Sequence, residues 1–125
     1  MNQATDVVIC GAGITGVAAA YFLSKAGYKN ILLVDERPPL TLTSDRSTEC
    51  YRNWWQDAAM LALMNRSIDL MDSLAEASGN IFQMNRRGYL YVTADKNKIA
   101  DMENASRLTS GLGAGPFRIH SSDNK

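Results

Sequence analysis

The order of apolar and polar positions is clearest in the first forty residues. Val7-Val8-Ile9-Cys10 is a continuous apolar run that follows Asp6 and stops at glycine, the pattern of a strand buried on both faces. Ile14 to Ala26 carries Val17, Ala18, Ala19, Ala20, Tyr21, Phe22 and Leu23. It predicts a helix, closed by Gly27 just past its end. Ile31-Leu32-Leu33-Val34 predicts a second buried strand, halted by Asp35-Glu36-Arg37 and Pro38-Pro39. Strand, tight glycine turn, helix and strand within about 30 residues predict a βαβ unit with parallel strands.

The pattern then changes. Pro38 to about Trp54 has no periodicity and crowds Thr41, Thr43, Ser44, Asp45, Arg46, Ser47, Thr48 and Glu49 together. An irregular stretch of that length is usually functional or disordered. A long helix is predicted from about Trp54 to Ser78. Leu61, Met64, Ile68, Met71 and Ala75 form its stripe, and Leu63, Leu70 and Leu74 widen it. Ser78-Gly79-Asn80 ends it. Ile81–Met84 and, more strongly, Gly88–Thr93 read as strands rich in β-formers. Asp95 is an N-cap for a last helix through about Leu108, and Gly111, Gly113, Gly115 and Pro116 break the pattern after it.

Composition narrows the function classes. A chain of 125 residues suffices for one small domain with a core. Thirteen basic and thirteen acidic residues cancel, with no run of one sign, so a nucleic-acid footprint or a polybasic membrane patch is not expected. Cys10 and Cys50 are too few for a disulfide framework and lack zinc spacing; Cys10, inside an apolar run, is expected to be a buried thiol. One histidine, His120, in a polar tail leaves no material for a His-based metal site or a Ser-His-Asp triad. Val7 to Leu23 superficially resembles a secretory or membrane segment. It lacks a basic leader, is interrupted by glycines, and falls short of the roughly 20 residues a bilayer needs. A cytoplasmic protein with no membrane span is the expectation.

Gly11-Ala12-Gly13-Ile14-Thr15-Gly16 fits G-x-G-x-x-G. Gly11 permits the tight turn, Gly13 lets backbone approach a pyrophosphate, and Gly16 allows close helix-to-strand packing. The first amides of the following helix would face the diphosphate, and the helix dipole favours its charge. A lone match is weak. Here it follows a predicted strand, opens a helix, and precedes a second strand that ends in an acid. Asp35 stands 19 residues beyond Gly16, close to the roughly 20 expected of a group that binds a ribose hydroxyl. Glu36 is its near neighbour. Arg37 would suit a 2′-phosphate, but an acid at the ribose site repels one, so NADP is disfavoured.

The βαβ unit alone does not separate FAD from NAD. Three stretches together resemble the D-amino-acid oxidase superfamily of FAD-dependent oxidoreductases. They are Asp6 to Gly16, Gly27 to Asp35, and the loop Thr43-Ser-Asp-Arg-Ser-Thr-Glu-Cys-Tyr-Arg52. The sarcosine oxidase, glycine oxidase and dimethylglycine dehydrogenase branches are the most similar. The resemblance implies an α/β fold: a Rossmann-like FAD/NAD(P)-binding βαβ unit, a long helix, and the start of a mixed α+β substrate domain. It also implies that residues 1–80 are the N-terminal part of an FAD-binding domain and 81–125 the beginning of a substrate domain.

Carried over by position, Gly11, Ala12, Gly13, Ile14, Thr15 and Gly16 would hold the FAD diphosphate, and Asp35, with Glu36 and Arg37 beside it, the adenosine ribose. Ser47 and Thr48 would offer hydroxyls to phosphate or ribityl oxygens, and Arg52 would bring a cation to the flavin end. The bland alternative for these last three is a solvated loop with a surface arginine. Some branches tether the flavin through a histidine in this loop, and none stands here. Cys50 reads as a free thiol before a flavin linkage. Trp54 and Trp55 are candidates for packing beside the flavin ring, although such residues more often pin a helix start to the core.

Family members are several times longer, so the resemblance implies an incomplete fold, an N-terminal piece that lacks most of the substrate pocket. The chain closes on Arg118 to Lys125 without an apolar segment. The expectation is marginal stability alone, or a complementing subunit that supplies the missing sheet. The intact enzyme would take an amine or amino acid, and no catalytic residue or metal ligand is assigned. Two other readings stay open: a nucleotide-binding or subunit-pairing remnant without turnover, and an NAD-dependent dehydrogenase fragment. The second is disfavoured because a polar loop and a long helix, not a third parallel strand, follow Asp35.

Overall fold

The computed structural model describes residues 4–120, so the closing residues 121–125 of the polar tail lie outside it. The fold is mixed α/β, with a two-stranded parallel sheet and three α-helices among the described residues. The chain divides into two compact units, one up to Cys50 and one from Tyr51 onward.

In the first unit, β1 (Val7–Cys10) pairs with β2 (Ile31–Val34) in parallel, Val7 opposite Ile31 and Cys10 opposite Val34. Helix α1 (Ile14–Lys25) connects them and ends, as the sequence predicts, just before Gly27. Only one sheet face is shielded. Val7, Ile9, Ile31 and Leu33 share the half-buried face, whereas Val8 is 57% and Leu32 47% exposed. The expected burial of both faces is therefore corrected. Cys10 falls on the exposed face by strict strand alternation, so it is an exposed thiol and not a buried one.

The second unit is built on α2 (Ala58–Ser78). Leu61, Ile68 and Ala75, two turns apart in succession, are its buried line. Leu63, predicted to widen the stripe, is 58% exposed. The helix starts later than predicted, because Asp57 accepts from the Met60 amide at 2.8 Å and caps it. Gly79, in the left-handed conformation, closes it. Asp57→Ala should cost about 1 kcal/mol; urea unfolding followed by helical circular dichroism measures it, and an unchanged midpoint would contradict the capping role.

Neither predicted strand beyond α2 forms. Asn80 folds residues 80–84 into a turn, its Oδ1 accepting from the Met84 amide at 2.8 Å and its Nδ2 donating to the Met84 carbonyl at 3.0 Å. Gly88–Thr93 has β-forming side chains but no partner strand to ladder with among the described residues. Helix α3 (Ile99–Thr109) follows a short turn that Asp95 caps by accepting from the Asn97 amide at 3.0 Å. The wide turn Ser110–Ala114 then brings the chain back onto α2. Thr109, 1% exposed, satisfies its hydroxyl on the Ala105 carbonyl at 2.8 Å. No helix among the described residues is long and apolar enough to cross a membrane.

Candidate functional site

Strand register builds the site. Because Cys10 lies opposite Val34, both strands leave the sheet at one level. The Gly11 amide donates to the Val34 carbonyl at 2.8 Å. One residue on, the Ala12 amide donates to Asp35 Oδ2 at 2.7 Å. Ala12 is 4% exposed, so this carboxylate satisfies an amide that would otherwise be buried without a partner. Asp35 Oδ1 accepts from the Arg37 amide at 2.9 Å, and the Leu40 amide donates to the Ala12 carbonyl at 3.0 Å. The acid, the glycine turn and the chain leaving β2 are thus one hydrogen-bonded assembly.

Two glycines are required by this geometry. Gly11 has φ +104°, and a Cβ at Gly16 would lie 1.8 Å from the Gly11 carbonyl oxygen. Gly13 differs: its φ is −72° and a Cβ there would meet no atom within 4 Å. Packing inside the chain does not demand glycine at that position, and the backbone there is open to a group approaching from outside. No side chain caps α1. The amides of Ile14, Thr15 and Gly16 therefore head the helix with the positive end of its dipole, an arrangement suited to a phosphate.

The Asp35 carboxyl is held below the ordinary carboxylate value, chiefly by the Ala12 amide and then by the Arg37 amide. An ionised carboxylate has about four lone-pair sites. Two are taken by these amides. The Glu36 amide also lowers the carboxyl, which leaves it an acceptor site for a hydroxyl. A carboxylate lowered on folding contributes stability that is fully present above its unfolded value, about 3.9. That contribution is lost as pH falls through the lower folded value. Acidification from about pH 7 to about pH 5 should leave the Ala12 amide protected from exchange, and protection should fall below about pH 4. Loss of protection already near pH 6, read by amide hydrogen exchange, would contradict the assignment.

The remaining candidates are placed differently. Arg37 pairs with Glu36 at 3.2 Å, both exposed, on the chain just beyond Asp35. Ser47 and Thr48 are exposed in the same compact unit and bond locally: Ser47 Oγ accepts from the Glu49 amide at 3.0 Å, and the Thr48 carbonyl accepts from Cys50 Sγ at 3.5 Å. Arg52 belongs to the second unit. There its guanidinium lies over the Trp55 ring, and the Trp54 ring meets that of Tyr91 at a tilt of 35°.

Sequence reasoning missed the Ala12–Asp35 bond, which only the strand register makes visible. It also missed the amide pair Asn53 and Asn65, whose Nδ2 and Oδ1 meet at 2.8 Å; no motif marks those two residues.

No solved structure matches the chain closely enough to count as a likeness. The family model for FAD dependent oxidoreductases (DAO) matches residues 6–123, and so takes in the glycine turn, Asp35 and nearly all of the second unit. The chain belongs to this family of FAD-dependent oxidoreductases.

Proposed function

We propose that the chain is the FAD-binding N-terminal segment of an oxidoreductase acting on amines or amino acids, of the sarcosine oxidase, glycine oxidase and dimethylglycine dehydrogenase type. In this reading residues 1–80 are part of the FAD-binding domain and 81–125 begin the substrate domain. The observation that carries it is the Ala12–Asp35 bond beside the uncapped start of α1. That arrangement offers amides to a diphosphate and, next to them, an ionised acceptor for ribose hydroxyls.

The backbone from Gly11 through Ala12, Gly13, Ile14 and Thr15 to Gly16 holds the diphosphate, and the open space over Gly13 supports this. Asp35 accepts from the adenosine ribose, while Glu36 keeps Arg37 occupied and so disfavours a 2′-phosphate. Ser47 and Thr48 donate hydroxyls to phosphate or ribityl oxygens, and Arg52 supplies a cation for the flavin end. Bound flavin supplies the hydride acceptor for oxidation of the carbon next to a substrate nitrogen. The chain's own residues bind and orient it; no catalytic base is assigned among them.

Equilibrium titration of the purified chain with FAD, NAD and NADP tests the choice of cofactor. FAD is expected to bind at least about tenfold more tightly than either nicotinamide dinucleotide. Equal or weaker FAD binding would favour the dehydrogenase alternative. The exposed Val8 and Leu32 face supports a second reading, in which the segment pairs with a complementing subunit. Sedimentation of the chain with and without FAD distinguishes a lone monomer from such an assembly.

A further inference from the structure

Arg52 rests on aromatic rings and not on an acid. Its guanidinium carbon lies 5.0 Å from the Trp55 ring centroid, and its Nη1 donates to Tyr91 Oη at 3.4 Å. Tyr91 is itself fixed by Trp54, whose ring centroid is 4.3 Å away. The ion pairs of the described residues leave Arg52 out, so its charge is not neutralised by a carboxylate. A cation stacked on a ring keeps donors in its plane for another group.

The residue beside it is tied down from two directions. Asn53 Nδ2 donates to Asn65 Oδ1 on α2 at 2.8 Å and to the Ala114 carbonyl at 3.0 Å. Asn65 Nδ2 completes the clasp by donating to the Gly113 carbonyl at 3.0 Å. Two side-chain amides therefore join the segment carrying Arg52, the first turns of α2 and the wide turn after α3. Asn65 stands one turn along α2 from Leu61, which is 2% exposed. An arginine on an irregular segment would otherwise sample many backbone and side-chain states. The clasp removes the backbone freedom one residue away, and the Trp55 and Tyr91 contacts limit the rest.

We propose that Asn53, clasped by Asn65, is a positioning residue that presets the Arg52 cation for the flavin end of the cofactor. The inference rests on the assignment of Arg52 made under Proposed function. It adds a pair of residues that touch neither cofactor nor substrate and act through Arg52 alone.

The test uses the full chain loaded with FAD, with sulfite as the probe, an anion that binds flavin more tightly when a cation stands beside the ring. Arg52→Gln, Asn53→Ala, Asn65→Ala and the two double variants with Arg52→Gln are titrated in parallel. Near-ultraviolet circular dichroism of the Trp54, Trp55 and Tyr91 group checks that each variant keeps its fold. Asn65→Ala, which acts from α2, carries the test should Asn53→Ala fail to fold. The expected result is a rise of about tenfold in the sulfite Kd for Asn53→Ala and for Asn65→Ala, with no further rise once Arg52 is Gln. If Arg52→Gln weakens sulfite binding while the asparagine variants do not, or add to it in full, the positioning role is overturned and the Arg52 assignment stands. If Arg52→Gln has no effect, that assignment fails and the positioning role fails with it.

Discussion

Gly16→Ala is expected to remove the cooperative unfolding of the first unit and FAD binding along with it. The added Cβ would stand 1.8 Å from the Gly11 carbonyl oxygen and 3.0 Å from its carbon. Both are backbone atoms, so no flexible side chain can swing away. Helix α1 would have to lift from β1, and the lift would open the turn that aligns Ala12 with Asp35. Overpacking of this kind costs about 3 kcal/mol. That exceeds the about 1 kcal/mol expected for the Asp57 cap, and it is a large share of the about 5–15 kcal/mol that holds an ordinary domain together. Thermal unfolding by circular dichroism, run with the parent chain, measures it. A midpoint within a degree or two of the parent's would mean that α1 does not approach β1 as described.

The second large effect concerns Asp35. Asp35→Ala removes the acceptor of the Ala12 amide and, in the proposed reading, of the ribose hydroxyls. FAD affinity should fall about a hundredfold, in the range set by lost hydrogen bonds to a charged group. FMN, which lacks the adenosine ribose, separates the two roles. If Asp35 contacts the ribose, FAD affinity falls far more than FMN affinity; if it only supports the turn, both fall alike. Asp35→Asn keeps the shape but loses the charge, and should lie between the parent and the alanine variant. Fluorescence titration with each flavin gives the three constants. Equal losses for FAD and FMN would remove Asp35 from the ribose site.

The βαβ unit was legible because its signals are local and agree with one another. The apolar runs at Val7–Cys10 and Ile31–Val34, the glycine spacing and the stop at Pro38 all lie within a few residues of what they specify. Burial was less legible. A continuous apolar run states that a strand can be covered on both faces, and says nothing of what covers each; Val8 and Cys10 are exposed for that reason. The start of α2 shifted to Ala58 because Asp57, a capping residue, outweighs the apolar Trp54 and Trp55 that extend the periodic pattern. Gly88–Thr93 shows the limit of β-propensity, which needs a partner strand to become structure. Its Tyr89 and Tyr91 stack on each other at 6.2 Å instead of joining a ladder.

The candidate site divides in the same way. Gly11, Gly13, Gly16 and Asp35 could be named from spacing, because each answers a steric or electrostatic requirement of one short turn. The bond between Asp35 and Ala12 depends on register across 23 residues, and the Asn53 link to Ala114 spans 61. Contacts at such separations leave no periodic trace in a single sequence. Asparagine in particular carries no hydrophobic signature that would mark it as part of a packed clasp.

The central claim is that the turn at 11–16, with Asp35, holds FAD. The most direct measurement is the visible spectrum of the chain after purification and gel filtration with FAD present in the loading buffer only. The account predicts flavin absorbance that elutes with the protein at close to one equivalent, and its loss in Asp35→Ala. A colourless protein peak, with all the flavin in the small-molecule fraction, would contradict it.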